Sequence, residues 1–329
     1  MGEGTHIRNF GRTKLQLVGS LSAFDVFQSP TGQACIYDFP RDTSGNVVAG
    51  SANDYIEPAT AGTYSIPKTA NIVLLKGVRV YWDHSANSAT YRKVADRDFY
   101  CGRAAQDAAS SDTVVHVELN IDPPYDLDLF RDPCDIITTG TQALGGFLPP
   151  AWRGGALHFV LSATNEAQIL SLCTVDGFAE EANAIIEAAF RVVSDGAGTV
   201  VDVSIGAANA AHATDMDSAT ESLLCHLDAN NTNINFESDD GTVEVAATDS
   251  TTDYTEGATT AVREVIWFDM RDPADVQIYR NAVLMLTATV FDVDAATGPW
   301  KLICHIEKTA STDTYELALD TLRAWYSEQ

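Results

Sequence analysis

The carboxylates are the side chains best placed to do chemistry in this chain, and they recur in close pairs. Asp126/Asp128, Asp215/Asp217, Asp239/Asp240 and Asp292/Asp294 each lie one or two positions apart. Glycoside hydrolysis needs two carboxylates flanking a sugar, and calcium needs six to eight oxygen ligands. Asp215, Asp217, Asp292 and Asp294 could supply some of those oxygens, but no DxDxDG loop occurs. With 46 acidic residues in the chain, pairs arise by chance, and a solvated acidic surface accounts for them. Nucleophilic catalysis needs a Ser or Cys with a His and an orienting acid, and no spacing marks such a set. GxGxxG, GxxxxGK[ST], HExxH and GxSxG are all missing. The seven histidines and six cysteines are scattered, with no CxxC pair, so neither a metal ion nor a cofactor is expected. Cys304 sits in an apolar run, and the cysteines read as buried free thiols of a protein folded in a reducing cytoplasm. The expectation is a protein without catalytic activity.

The elements that would position these side chains are strands. At 329 residues, 45% apolar and 20% charged, the chain has material for two packed domains. No stretch approaches the ~20 unbroken apolar residues of a membrane helix, and the first residues lack the apolar core of a secretory signal. Short β-rich runs alternate with Gly, Asn, Asp, Ser and Pro clusters, which reads as all-β. Val78–Trp82 and Val114–Leu119 alternate in the first half, with His116 facing outward. Pro and Gly concentrate between 120 and 150, where the inter-domain connection is expected. In the second half Ile186–Val193 and Val200–Ile205 alternate on either side of a five-residue turn and read as a hairpin. Further runs follow: Ser222–Leu227, Asn233–Glu237, Thr242–Ala246, Arg263–Met270, Val276–Tyr279, Val283–Phe291 and Trp300–Glu307. Tyr315–Trp325 alternates as a strand, and Thr248–Thr260 reads as a polar loop. About ten strands in 150 residues suffice for two antiparallel sheets.

Charge divides the chain. Residues 1–150 carry 12 basic and 17 acidic side chains, a net of −5, whereas residues 151–329 carry 8 and 29, a net of −21. A total of −26 repels phosphate backbones, so nucleic acid is not an expected partner. Residues 1–24 run the other way: Arg8, Arg12 and Lys14 oppose only Glu3, which suits an arm docking on an acidic surface. Arg103, Arg131 and Trp152 lie near the expected junction, and Arg and Trp are enriched in protein interfaces. These six residues are the candidates for a contact with a partner or with another subunit.

Residues 33–120 resemble the capsid cement, or decoration, protein family of tailed bacteriophages. The residues that carry it are Gly62-Thr-Tyr-Ser-Ile-Pro-Lys68, Leu75-Lys-Gly-Val-Arg-Val-Tyr-Trp-Asp83, Asp96-Arg-Asp-Phe-Tyr-Cys-Gly-Arg-Ala-Ala105 and Asp107-Ala-Ala-Ser-Ser-Asp112. A closing Val115-x-Val117-x-Leu119 strand completes the order. The resemblance implies a homotrimer on the outer surface of the virion, bound to the major capsid protein and strengthening the shell. More loosely, the second half is similar to a concanavalin-like lectin or glucanase jelly roll. The hairpin-like Val276-Gln-Ile-Tyr-Arg-Asn-Ala282 carries that likeness, while the glucanase Glu-x-Asp-x-x-Glu strand is missing.

The expected architecture is therefore an N-terminal basic arm (1–24) and a cement domain built as a small β-barrel or β-sandwich (25–135). A linker (136–150) and a C-terminal antiparallel jelly-roll β-sandwich (151–329) follow. The alternatives are an adhesin using Trp267, Trp300, Tyr254 and Trp325 to bind a glycan, and a depolymerase with two carboxylates in a cleft.

Overall fold

The computed structural model describes residues 14–38, 42–123, 125–145, 156–179, 182–196, 198–229, 231–258 and 260–326. The protein is all-β and divides into two compact units, 1–124 and 125–329. The division falls at Pro123-Pro124, at the start of the expected connection. Cys134–Thr139 and Ala143–Gly145 lie where the sequence reading put the domain end and the linker; both are strands of the second unit. Backbone pairing prevails over composition here, because a neighbouring strand with open hydrogen-bonding groups recruits a short polar stretch as its edge.

The first unit is built on a five-stranded antiparallel sheet ordered Thr63–Pro67, Val114–Leu119, Phe99–Ala104, Arg79–Asp83, Ser88–Thr90. Two ribbons, Leu15–Gln16 with Tyr55–Ile56 and Val26–Gln28 with Ala34–Ile36, complete it. Val80, Trp82, Val115, Val117 and Leu119 are buried, as their alternation predicts, and Pro67 ends an edge strand. Gly102 has φ +148°, and a Cβ there would run into the Glu118 carbonyl oxygen; it sits opposite the register shift between Val80 and Tyr81. Lys68 is buried, and its ammonium donates to the carbonyls of Ile72 (2.7 Å) and Thr69 (3.1 Å). Asp83 Oδ1 accepts from the amides of Ser85 and Ala86 and so closes the turn after Trp82. Asn120, at φ +55°, accepts from Ala34 N and donates to Ala34 O and Thr60 O.

The second unit is a jelly-roll sandwich. One sheet runs Ala143–Gly145, Leu157–Leu161, Tyr315–Tyr326, Ala184–Ser194, Glu264–Asp269, Gln277–Arg280, Val283–Leu284, with Leu127–Asp128 also pairing on Tyr315–Tyr326. The other runs Cys134–Thr139, Glu166–Thr174, Lys301–Ser311, Val201–Ala208, Ser222–Asp228, Asn233–Asp239, Glu244–Asp253. Between them lies one apolar core. Phe159, Ile186, Phe190 and Leu319 from the first sheet meet Val203, Ile205, Phe236 and Cys304 from the second, and Phe236 packs edge-on against Phe268 at 6.1 Å.

Three sequence expectations change. Ala184–Ser194 and Val201–Ala208 do not form a hairpin but belong to opposite sheets. Their apolar faces meet across the core rather than their edges, a choice that alternation alone does not make. The expected loop at 248–260 is strand as far as Asp253, held as an edge by Asn233–Asp239 and by Arg280, which donates to the carbonyls of Thr252 and Asp253. An edge exposed on its outer side needs no apolar pattern. Val283–Phe291 keeps only Val283–Leu284 as strand, since Leu286 turns the chain at φ +48°. The strand reading of Tyr315–Trp325 holds, and Asn281-Ala282 turns Gln277–Arg280 back onto Val283–Leu284 with two positive φ angles.

Candidate functional site

Alternation along the second sheet puts its apolar residues inward and a set of ionisable ones outward. Val201, Val203 and Ile205 face the core, so Asp202 and Ser204 face out. Across the strand pairs, Asp202 lies opposite Asp228 and Glu307, and Ser204 opposite His226 and His305. The connection after Ala208 folds over this face. Its Met216 and Ala219 pack on Cys173, Ala208, Leu224 and Ile303, and the short helix Met216–Ser218, capped by Asp215 through Asp217 N, presents Asp217.

At the centre is His226, 3% exposed. Its Nε2 lies 3.0 Å from Glu237 Oε1, and its Nδ1 is 3.2 Å from Ser204 Oγ and 3.7 Å from both Asp202 Oδ1 and Asp217 Oδ1. Asp202 Oδ1 is shut off from solvent and accepts no hydrogen bond. Burial by itself would lower the His226 pKa, but the Asp202 and Glu237 carboxylates outweigh it and push it up to about 10. Asp217 is raised to about 6, first by desolvation and then by Asp202 and Glu237, against the pull of His226. Asp228 is raised too, by burial and by Asp202. Beside this cluster opens a hollow of about 470 Å³ lined by Asp202, Asp215, Asp228, Asn231 and Glu307. A second trio, Asp240, Asp292 and Asp294, brings three carboxylate oxygens within 4.8 Å of one another.

The paired acids turn out to work on the backbone. Asp239 accepts from Gly241 N, Asp240 from Thr242 N and Val243 N, and Asp292 from Asp294 N. Asp126 accepts from Tyr326 N and Asp128 from Phe130 N. Short acidic side chains at turns satisfy amides that the sheets leave open, which is why they recur two apart. The histidine cluster is the exception, and nothing in linear spacing announces it: its members come from positions 202, 217, 226 and 237. The one available signal was a histidine inside an otherwise apolar run, Ser222-Leu-Leu-Cys-His-Leu227.

Of the sequence-expected contact residues, Lys14 and Arg103 belong to the first unit and Arg131 to the second. Arg8, Arg12 and Trp152 lie outside the described residues. Lys14 sits over the Tyr55 ring at 5.1 Å. Arg103 pairs with Glu118 across neighbouring strands. Arg131 is exposed, stacks on Tyr125 at 4.7 Å and donates to its hydroxyl. The aromatics expected on a glycan-binding face are all internal: Trp267, Trp300, Tyr254 and Trp325 are buried. Trp267 Nε1 donates to Glu187, itself paired with Arg323. All six cysteines are free, five of them buried.

Comparison with known proteins gives two kinds of likeness. Residues 40–119 match the model of the phage cement protein family. No curated protein matches the sequence. Solved structures include the Emp47p carbohydrate recognition domain, with 14% identity and a TM-score of 0.43, covering 61% of this chain and 94% of that one. The potassium-bound Emp46p carbohydrate recognition domain follows, with 11% identity and a TM-score of 0.41 over 60% and 89%. A carbohydrate esterase, vb_24B_21 of the Shiga toxin-encoding bacteriophage phi24B, is 12% identical with a TM-score of 0.36 over 61% and 93%.

Proposed function

We propose that this chain is a non-enzymatic structural protein of a tailed-phage head, an outer cement or decoration protein that binds at capsomer junctions. The observation that carries the reading is where the cement-family match falls. Residues 40–119 span the whole five-stranded sheet of the first unit, and the residues of the resemblance are those that build it: Ile66, Lys68, Trp82, Asp83, Gly102 and Val117. The first unit grips the major capsid protein, and the acidic jelly roll projects outward. A binder that recognises only assembled shell shifts assembly toward that state by mass action, so many weak contacts suffice. Around the start of the described chain the first unit exposes Val18, Phe24 and Tyr55, beside Lys14. Such apolar and basic side chains suit capsid contact. The chain acts as a homotrimer on the shell, folded in the host cytoplasm, without membrane or nucleic-acid partners.

The test is deletion of residues 1–13, which spares the Leu15–Gln16 strand, followed by quantification on purified virions and cryo-EM of the particles. The expected result is reduced occupancy with the jelly roll still folded. Unchanged occupancy sinks the arm, and absence of the full-length chain from the capsid surface sinks the whole reading.

The aromatics expected to bind a glycan are buried, so among the described residues a glycan-binding role for the second unit turns to a polar place. That place is the acceptor-rich hollow beside Asp202 and Asp228. A glycan array with the intact protein, repeated with Asp228→Ala, tests it.

A further inference from the structure

The geometry points to a divalent metal site of the zinc class on the outer face of the jelly roll, with His226 Nδ1, Asp202 Oδ1 and Asp217 Oδ1 as its protein ligands. Three features lead to it independently of the capsid reading.

The first is spacing. Nδ1 lies 3.7 Å from each carboxylate oxygen, and the three atoms lie within 4.8 Å of one another. That separation is too long for a hydrogen bond. It is close to the edge of a tetrahedron around an ion with bonds of ~2.0–2.2 Å, roughly 3.3–3.6 Å. The second is the other side of the ring. Metal-bound histidines donate their free N–H to a carboxylate, which fixes the tautomer and aims the ligand nitrogen. Glu237 Oε1 stands 3.0 Å from Nε2, in the position of that carboxylate, though the angle between them makes no hydrogen bond. The third is Asp202 Oδ1, enclosed and accepting no hydrogen bond, although burying a carboxylate oxygen without a partner is costly. An ion at the centre of the trio satisfies it.

The donor set selects the class. One imidazole nitrogen and two carboxylates suit Zn²⁺ or a neighbouring transition ion, whereas Ca²⁺ takes oxygen ligands only, six to eight of them. Water from the adjacent hollow, or Asp228 on its wall, completes the shell. The position also gives the ion a job. Asp202 and His226 stand on adjacent strands, whereas Asp217 belongs to the connection between them, which covers the apolar patch around Met216 and Leu224. A bound ion fastens that connection to the sheet.

The experiment uses the full chain without a purification tag, dialysed against EDTA and titrated by calorimetry with ZnCl₂, CaCl₂ and MgCl₂. The expected result is one Zn²⁺ per chain, a higher unfolding temperature with Zn²⁺, and no response to Ca²⁺ or Mg²⁺. Asp217→Asn, on the exposed connection and dispensable for the sheet, loses at least tenfold in zinc affinity. Glu237→Gln, which acts through the ring, loses roughly 10–100-fold. Absence of zinc binding, or equal affinity in Asp217→Asn, overturns the proposal. Zinc binding at other histidines or cysteines shows itself as this last outcome.

Discussion

The two units share a secondary structure and differ in what holds them. Residues 1–124 carry 11 basic and 13 acidic side chains, a net of −2, while residues 125–329 carry 9 and 33, a net of −24. The first unit relies on backbone fit: a glycine where no Cβ fits, a lysine wrapped in carbonyls, an asparagine tying Ala34 to Thr60. The second buries ionic groups in and on its sheets, including Arg280 with Glu264, Arg323 with Glu187, and His226 with its carboxylates. The comparison teaches that the excess acid is not merely a solvated coat. Part of it is spent on turns and part on buried charge pairs, which are expensive to break once made.

Three variants or conditions test the contrast, each read by hydrogen exchange on peptides from the two units separately. Glu264→Ala leaves the Arg280 guanidinium buried without its carboxylate and loosens the hold on the 244–253 edge. The second unit should lose about 3–5 kcal/mol while the first stays unchanged. Gly102→Ala puts a methyl group against the Glu118 carbonyl at a backbone angle that L residues avoid, and should cost the first unit about 3 kcal/mol. Equal losses in both units would erase the distinction between them. The smallest effect concerns pH. His226 holds its proton more tightly folded than unfolded, so its contribution is complete below its ordinary pKa and is lost as pH rises through about 10. The second unit should therefore lose at least ~1.4 kcal/mol between pH 7 and 10, and His226→Gln should flatten that slope. A slope unchanged by the substitution would mean that other groups, such as the buried cysteines and tyrosines, set the alkaline limit.

Much of this fold was legible in the residues. Val115, Val117 and Leu119 declare one buried face, and Tyr315, Leu317 and Leu319 another, because a strand sends neighbouring side chains to opposite sides. The Asn281-Ala282 turn was expected from the jelly-roll resemblance of the run that ends there. The partner of each strand was not. Ile186–Val193 and Val200–Ile205 look like a hairpin because both alternate around a short turn, yet the turn crosses from one sheet to the other. The 249–253 strand was invisible for a different reason: its pairing is backbone chemistry, and its side chains answer to solvent.

The candidate site shows the same limit more sharply. Composition and alternation by themselves determine that the chain is all-β and that acid concentrates in the second half. They place His226 on a strand and Asp217 in a connection. Only the tertiary structure brings Asp202, Asp217, His226 and Glu237 around one ring. Strand register and the path of a covering loop set distances between residues up to 35 positions apart, and no local periodicity encodes either. The structure likewise turned paired aspartates such as Asp239/Asp240 from an expected solvated surface into acceptors for backbone amides, because it shows which amides the sheets leave unsatisfied.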